Sequence, residues 1–130
     1  MTRYLHTMVR IVDIERSRPF YEALGLEFRR ESPIVRNGEH EATNYFFGVP
    51  GQDEELELTW NTDGRTYELG TAYGHIALAV DDLDETLAEL STQGIEPERE
   101  PYRVSEGGSR ICFVQDPDAY RIELIDRSGK

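Results

Sequence analysis

His6-Thr-Met-Val-Arg-Ile-Val-Asp13-Ile14 and His75-Ile-Ala-Leu-Ala-Val-Asp-Asp82-Leu83 are two versions of one pattern, and that duplication decides the fold. Gly25-Leu26-Glu27 answers Gly94-Ile95-Glu96 at the same separation. Leu56-Glu57-Leu58 answers Ile122-Glu123-Leu124 at a separation three residues shorter, so the second copy has lost three residues in a loop. Each copy opens with a histidine on a strand and closes with a glutamate on a strand. Two His-and-Glu pairs suggest one site built from four ligands.

Between these anchors each copy reads as strand, helix and three strands, an α+β chain of two βαβββ modules. In the first copy, strands are expected over Tyr4 to Val12, Leu26 to Glu31, Ala42 to Gly48 and Glu55 to Asn61. Asp13 caps a helix whose Ile14, Phe20, Tyr21 and Leu24 recur at helical spacing until Gly25 stops it; Pro19 falls early enough to be tolerated. The second copy opens with a strand from Gly74 to Asp81. Asp82 and Glu85 then start a helix with Leu83, Leu87 and Leu90 as its buried stripe. Strands over Glu96 to Glu100, Arg110 to Gln115 and Tyr120 to Ile125 complete it. The expected boundaries are module 1 over about 4–61, a linker over about 62–72 and module 2 over about 73–127, in a single domain of 130 residues. A loop over Pro101 to Ser109 carries Gly107-Gly108.

Strand alternation sets the direction of the candidate ligands. His6, Met8 and Arg10 share one face, and Glu57 points away from Leu56 and Leu58, as Glu123 does from Ile122 and Leu124. A carboxylate turned inward on a curved sheet must be paired or bound to metal, because burying it bare costs several kcal/mol. A strand glutamate more often faces water, and a lone histidine more often makes an ordinary hydrogen bond. Four such residues in register across a duplication reverse that expectation. Two imidazoles and two carboxylates, completed by water, suit an octahedral divalent ion rather than tetrahedral zinc. His40 has no counterpart and sits in the polar stretch Arg36-Asn-Gly-Glu-His40, so it reads as surface.

Twenty-six acidic residues against fourteen basic ones give a net charge of −12, and Lys130 is the only lysine. Such a field repels nucleic acid and anionic membranes, so neither is an expected partner. An acidic, lysine-poor surface has a halophilic character, suited to a cytoplasm of high salt. With 38% hydrophobic residues, the chain contains no apolar run approaching the roughly 18 needed to span a bilayer. The N-terminal stretch has no apolar signal region, and Cys112, the only cysteine, lies in the apolar run Ile111-Cys-Phe-Val114 and reads as a buried thiol. Both point to a cytoplasmic protein.

Over nearly its whole length the chain resembles glyoxalase I enzymes of the vicinal-oxygen-chelate superfamily. The resemblance is carried by Leu5-His-Thr-Met-Val-Arg10, Phe20-Tyr21, Glu57-Leu-Thr-Trp-Asn61, the run from Tyr67 through His75 to Leu78, Phe113-Val-Gln-Asp-Pro-Asp118 and Tyr120-Arg-Ile-Glu123-Leu. It implies paired βαβββ modules in a cupped mixed sheet and metal ligands at His6, Glu57, His75 and Glu123. A histidine at the first ligand position resembles the nickel- or cobalt-activated branch rather than the zinc branch. The implied activity is that of a carbon–sulfur lyase that isomerises the hemithioacetal of methylglyoxal and a thiol to an S-lactoyl thioester, a detoxification. Glu123 is the favoured base, with Glu57 across the substrate, and Arg10 and Asn61 hold the γ-glutamyl end of the thiol. The resemblance also implies a homodimer with shared sites at its interface. The alternatives are another metal enzyme of the superfamily, an epimerase or dioxygenase, and a non-catalytic binder of small molecules. Four intact ligands weigh against a dioxygenase and against a binder.

Two departures matter. The loop Pro101 to Gly108 lacks the lysines with which relatives meet the glycyl carboxylate of glutathione, and Glu106 stands where one is common. The thiol is therefore open, with γ-glutamylcysteine as a candidate. Ala119 replaces the glycine usual after Asp116-Pro-Asp118, at a cost of about 1 kcal/mol if the turn needs positive φ.

Overall fold

The computed structural model describes residues 1–128 and divides into two compact units, Met1–Glu68 and Leu69–Lys130. The division lies within the stretch 62–72 that joins the two sequence copies.

The first unit is β1 (His6–Ile11), α1 (Ile14–Ala23), β2 (Glu27–Arg36), β3 (Glu39–Gly48) and β4 (Glu55–Asn61). Its four strands form one mixed sheet in the order β1-β4-β3-β2, with β1 parallel to β4 and the other neighbours antiparallel. The second unit is β5 (Ile76–Val80), α2 (Leu83–Ser91), β6 (Tyr102–Arg103), β7 (Arg110–Gln115) and β8 (Arg121–Asp126). Its sheet repeats the topology as β5-β8-β7-β6, with β5 parallel to β8. In each unit the first and last strands are therefore adjacent and parallel, which places His6 on β1 beside the strand of Glu57, and His75, one residue before β5, beside the strand of Glu123. No helix among the described residues is long and apolar enough to cross a membrane.

Local chemistry builds the two helices alike. Asp13 Oδ1 accepts from the backbone N–H of Glu15 at 2.9 Å, and Asp82 Oδ1 from that of Glu85 at 3.0 Å. Gly25 (φ +95) and Gly94 (φ +77) end them in the left-handed region, with Leu26 N–H returning to Tyr21 O and Ile95 N–H to Leu90 O, each at 3.1 Å. Each unit then fills its own core. Ile11, Phe20, Tyr21, Phe47 and Leu58 are fully buried in the first; Leu83, Leu90, Cys112, Val114, Ile122 and Leu124 are fully buried in the second. Leu56 and Leu58 turn into that core, so Glu57 projects from the other face of the sheet.

β3 begins at Glu39 rather than Ala42, and β5 at Ile76 rather than Gly74, so His75 stands just before its strand; two further strands differ more from expectation. β2 continues to Arg36 through Pro33, where a strand ending at Glu31 is expected. It is an edge strand, so the missing proline N–H costs no ladder bond. The β2–β3 connection is Asn37-Gly38, both with positive φ (53 and 76), the backbone of a tight two-residue hairpin. The strand expected over Glu96 to Glu100 is absent. Pro97 and Pro101 cannot donate to a ladder, and pairing shrinks to Tyr102–Arg103.

Ala119 does adopt positive φ (72), between Asp116 and Tyr120. Buried Asp116 locks the turn by accepting from the N–H groups of Asp118 and Tyr120 at 2.9 Å each. A left-handed alanine costs about 1–2 kcal/mol, whereas glycine loses about 0.5–1 kcal/mol more chain entropy on folding. Ala119→Gly is thus expected to stabilise by up to about 1 kcal/mol, raising the melting temperature by about 2–4 °C. A calorimetric scan showing a lower melting temperature would contradict the strain.

Candidate metal centre

Parallel pairing of β1 with β4 sets Met8 opposite Glu57 and His6 opposite Glu55. From there the His6 imidazole reaches forward along the strand, bringing Nε2 to 2.9 Å from Glu57 Oε1. In the second unit Ala77 lies opposite Glu123, and His75 Nε2 reaches 3.1 Å from Glu123 Oε1. Both imidazoles are 40% exposed while their carboxylates are 10% and 17% exposed. The arrangement is an acid sunk in the sheet with a ring at its mouth.

Among the described residues no three His, Cys, Asp or Glu side chains gather as a metal cluster; the candidates stand as two pairs, one in each unit. The donor chemistry fits a divalent ion. Neighbouring ligands of an octahedral ion with bonds of about 2.1 Å stand about 3.0 Å apart, and the two His–Glu separations bracket that value. Each pair offers one imidazole nitrogen and one carboxylate oxygen.

Arg10 and Asn61 lie farther along the same strands. Arg10 is exposed opposite Thr59, and Asn61 Nδ2 donates to the Tyr67 hydroxyl at 2.8 Å. Thr59, between Glu57 and Asn61 on this face, donates to Asn44 Oδ1 at 2.8 Å. Four residues of strand separate Arg10 from His6, and Asn61 from Glu57, about 13 Å at the usual rise. His40 is exposed, with its Nε2 2.8 Å from Thr43 Oγ1 and its ring 6.1 Å from Trp60. It joins neither pair.

Residues that the sequence did not single out surround both pairs. Phe46 and Phe113 sit directly across from Glu57 and Glu123 on the neighbouring strands. Strand parity relative to the candidate glutamates was the signal that could have found them. Arg30 holds the Glu55 carboxyl below the usual range, and Arg121 does the same to Glu98. Tyr73, two residues before His75, is pushed up to about 12 by burial and then by Asp116 and Tyr120. Its hydroxyl therefore stays protonated and donates to the Arg121 carbonyl at 3.4 Å.

Known proteins resemble the chain in sequence and in fold. The family model described as Glyoxalase/Bleomycin resistance protein/Dioxygenase superfamily matches residues 3–124. The lactoylglutathione lyase of Escherichia coli O157:H7 is 44% identical over 127 residues, covering 95% of this chain and 92% of the relative. Among solved structures, glyoxalase I from Zea mays superposes with a TM-score of 0.84 at 34% identity, covering 98% of this chain. The chain spans 46% of the maize protein, somewhat under half its length. The trypanothione-dependent glyoxalase I of Leishmania major gives a TM-score of 0.79 at 35% identity, covering 97% of this chain and 87% of its own.

Proposed function

The chain belongs to the glyoxalase/bleomycin resistance protein/dioxygenase superfamily, and from that membership and its two His–Glu pairs we infer that it works as a lactoylglutathione lyase. The reaction isomerises the hemithioacetal of methylglyoxal and a thiol to an S-lactoyl thioester. The observation that carries the reading is the repeated pair, His6–Glu57 and His75–Glu123, set by adjacent parallel strands of both units (His75 one residue before its strand) at nearly equal separations. Its setting is the cytoplasm, where methylglyoxal meets thiols.

His6, Glu57, His75 and Glu123 are the proposed ligands of a divalent ion, nickel or cobalt in preference to zinc. When bound, such an ion would supply Lewis-acid stabilisation of negative charge developing on the substrate oxygens. The protein's own part is proton transfer and orientation. A carboxylate oxygen of Glu123 takes the proton from the carbon beside the carbonyl and returns it to the neighbouring carbon, so a ligand also serves as the base. Glu57 stands at the equivalent place on the other side. Arg10, through its forked donors, and Asn61 hold the γ-glutamyl end of the thiol. Because each unit offers only two ligands, the complete set is proposed to form across a homodimer, with His6 and Glu57 from one subunit and His75 and Glu123 from the other.

The thiol is proposed to be γ-glutamylcysteine or another that lacks the glycyl carboxylate. Arg110 could have replaced the missing lysines, but it pairs with Asp84 at 2.9 Å and approaches Asp126 at 3.6 Å. Arg103 donates to the Gly108 carbonyl of its own loop. Glu106 adds a like charge worth about 1 kcal/mol near a surface. The Leishmania relative, named trypanothione-dependent, supports variation of the thiol at this level of identity. Isomerase assays with added nickel or cobalt, in high salt, test both parts. The γ-glutamylcysteine adduct is expected to be processed at least as well as the glutathione adduct. A tenfold preference for glutathione, about 1.4 kcal/mol, would overturn the thiol assignment; no isomerase activity on either adduct would overturn the lyase.

A further inference from the structure

Each candidate imidazole leans on a phenyl ring. His6 meets Phe46 edge-on, with centroids 6.0 Å apart and planes at 81°, and His75 meets Phe113 at 5.2 Å and 80°. A guanidinium lies against each phenyl. Arg30 Cζ is 4.0 Å from the Phe46 centroid, and Arg121 Cζ is 3.9 Å from that of Phe113. Each guanidinium is in turn gripped by a carboxylate through two hydrogen bonds. Arg30 donates from both Nη atoms to Glu55 at 2.8 and 3.0 Å; Arg121 donates from Nε and Nη2 to Glu98 at 3.0 and 2.9 Å.

The arrangement repeats, although the residues that build it do not. Glu55 stands two residues before Glu57 on β4, and Arg121 stands two residues before Glu123 on β8. The acid of one half thus occupies the place of the base in the other. Their partners, Arg30 and Glu98, both come from the segment that follows the helix of their own unit. The ion pair has been kept with its signs exchanged. In both forms the arginine ends on the phenyl that faces the ligand glutamate. An exposed ion pair contributes little by itself, and surface charge alone would not require a guanidinium on that ring. Two different routes to one stack point to a requirement at the ring.

Resting on the ligand assignment above, we propose that Phe46 and Phe113 are positioning residues for the His6 and His75 imidazoles, each braced by a charge-swapped version of the same arginine–carboxylate clamp. A cation prefers the face of a phenyl ring, and an aromatic neighbour prefers to meet it edge to face. A phenyl fixed by the clamp therefore limits the tilt of the imidazole and keeps Nε2 directed at the ligand carboxylate.

The test is cobalt binding to the purified protein, followed by the visible absorption bands of bound Co²⁺ in about 1 M salt, where screening over about 3 Å removes long-range charge effects. Phe113→Leu, and Arg121→Glu or Glu98→Arg alone, should each weaken binding about tenfold, the usual scale for residues that orient ligands. The double variant Arg121→Glu with Glu98→Arg rebuilds in the second unit the order found in the first. It should recover most of that loss and restore the band positions. His75→Ala separates the two ideas. If that variant binds cobalt as tightly as the parent, the ligand assignment itself fails. If it loses binding while Phe113→Leu and both single charge variants keep the parent affinity and spectrum, only the positioning role is overturned. A double variant that remains folded by circular dichroism yet binds no better than the singles overturns the exchanged clamp.

Discussion

Glu123→Gln is expected to lower the turnover of the nickel- or cobalt-loaded protein by about 10³-fold or more, some 4 kcal/mol in barrier height. General base catalysis alone accounts for about 10²–10⁴-fold, and the substitution also removes one negative charge from the ligand set. The fold should survive. Gln has the shape of Glu, its amide oxygen can still face His75 Nε2, now 3.1 Å from the carboxylate, and the flanking Ile122 and Leu124 stay buried. Measuring metal content beside turnover divides the effect. A variant that holds metal but does not turn over has lost the base, whereas one that holds none has lost a ligand. Glu57→Gln, whose carboxylate has nearly the same surroundings, serves as the matched comparison. Near-normal isomerase activity in Glu123→Gln would show that proton transfer was assigned to the wrong group.

Most of the frame was legible because it is periodic. The spacing between the copies located the strands that carry Glu57 and Glu123, and Leu-Glu-Leu with Ile-Glu-Leu showed that these glutamates turn away from the buried leucines. The structure places β4 and β7 at the expected limits, Glu55–Asn61 and Arg110–Gln115. What escaped the reading depended on partners distant in sequence. Pro33 looks like a strand breaker until β2 is known to be an edge, and the Asn37-Gly38 hairpin that extends both of its strands lies in a stretch whose sequence shows only polarity. Glu96 to Glu100 looked like a strand by analogy with the first copy. Pro97 within it, Pro101 just after it and the commitment of Glu98 to Arg121 make it a connecting segment instead. The clamps around Phe46 and Phe113 were hidden for a different reason. Matching residues reveal a repeat only where they are identical, and here it survives as the same physical arrangement with opposite signs, Glu55 answering Arg121 and Arg30 answering Glu98.

Mixing two inactive variants, His6→Ala and His75→Ala, is expected to restore activity from nothing to about a quarter of the parent value. The reasoning is combinatorial. Each subunit is proposed to give His6 and Glu57 to one site and His75 and Glu123 to the other. A hybrid dimer therefore contains one site with both substitutions and one with all four ligands. Random re-pairing of equal amounts makes half the dimers hybrids, so one site in four is intact. The pairing on which this rests has a physical motive in the strands themselves. β1 and β5 end their sheets, and each leaves side chains exposed along the ligand-bearing face, Met8 and Arg10 on β1 and Ala77 and Ala79 on β5. An edge strand beside a proposed half-site is a natural surface for a second copy. The subunits must be exchanged by co-expression or by unfolding and refolding together, and each variant alone must remain inactive. If re-pairing is verified by a tagged subunit and the mixture still shows no isomerase activity, the sites do not draw one His–Glu pair from each of two chains. An active species that sediments as a monomer would lead to the same conclusion by a separate route.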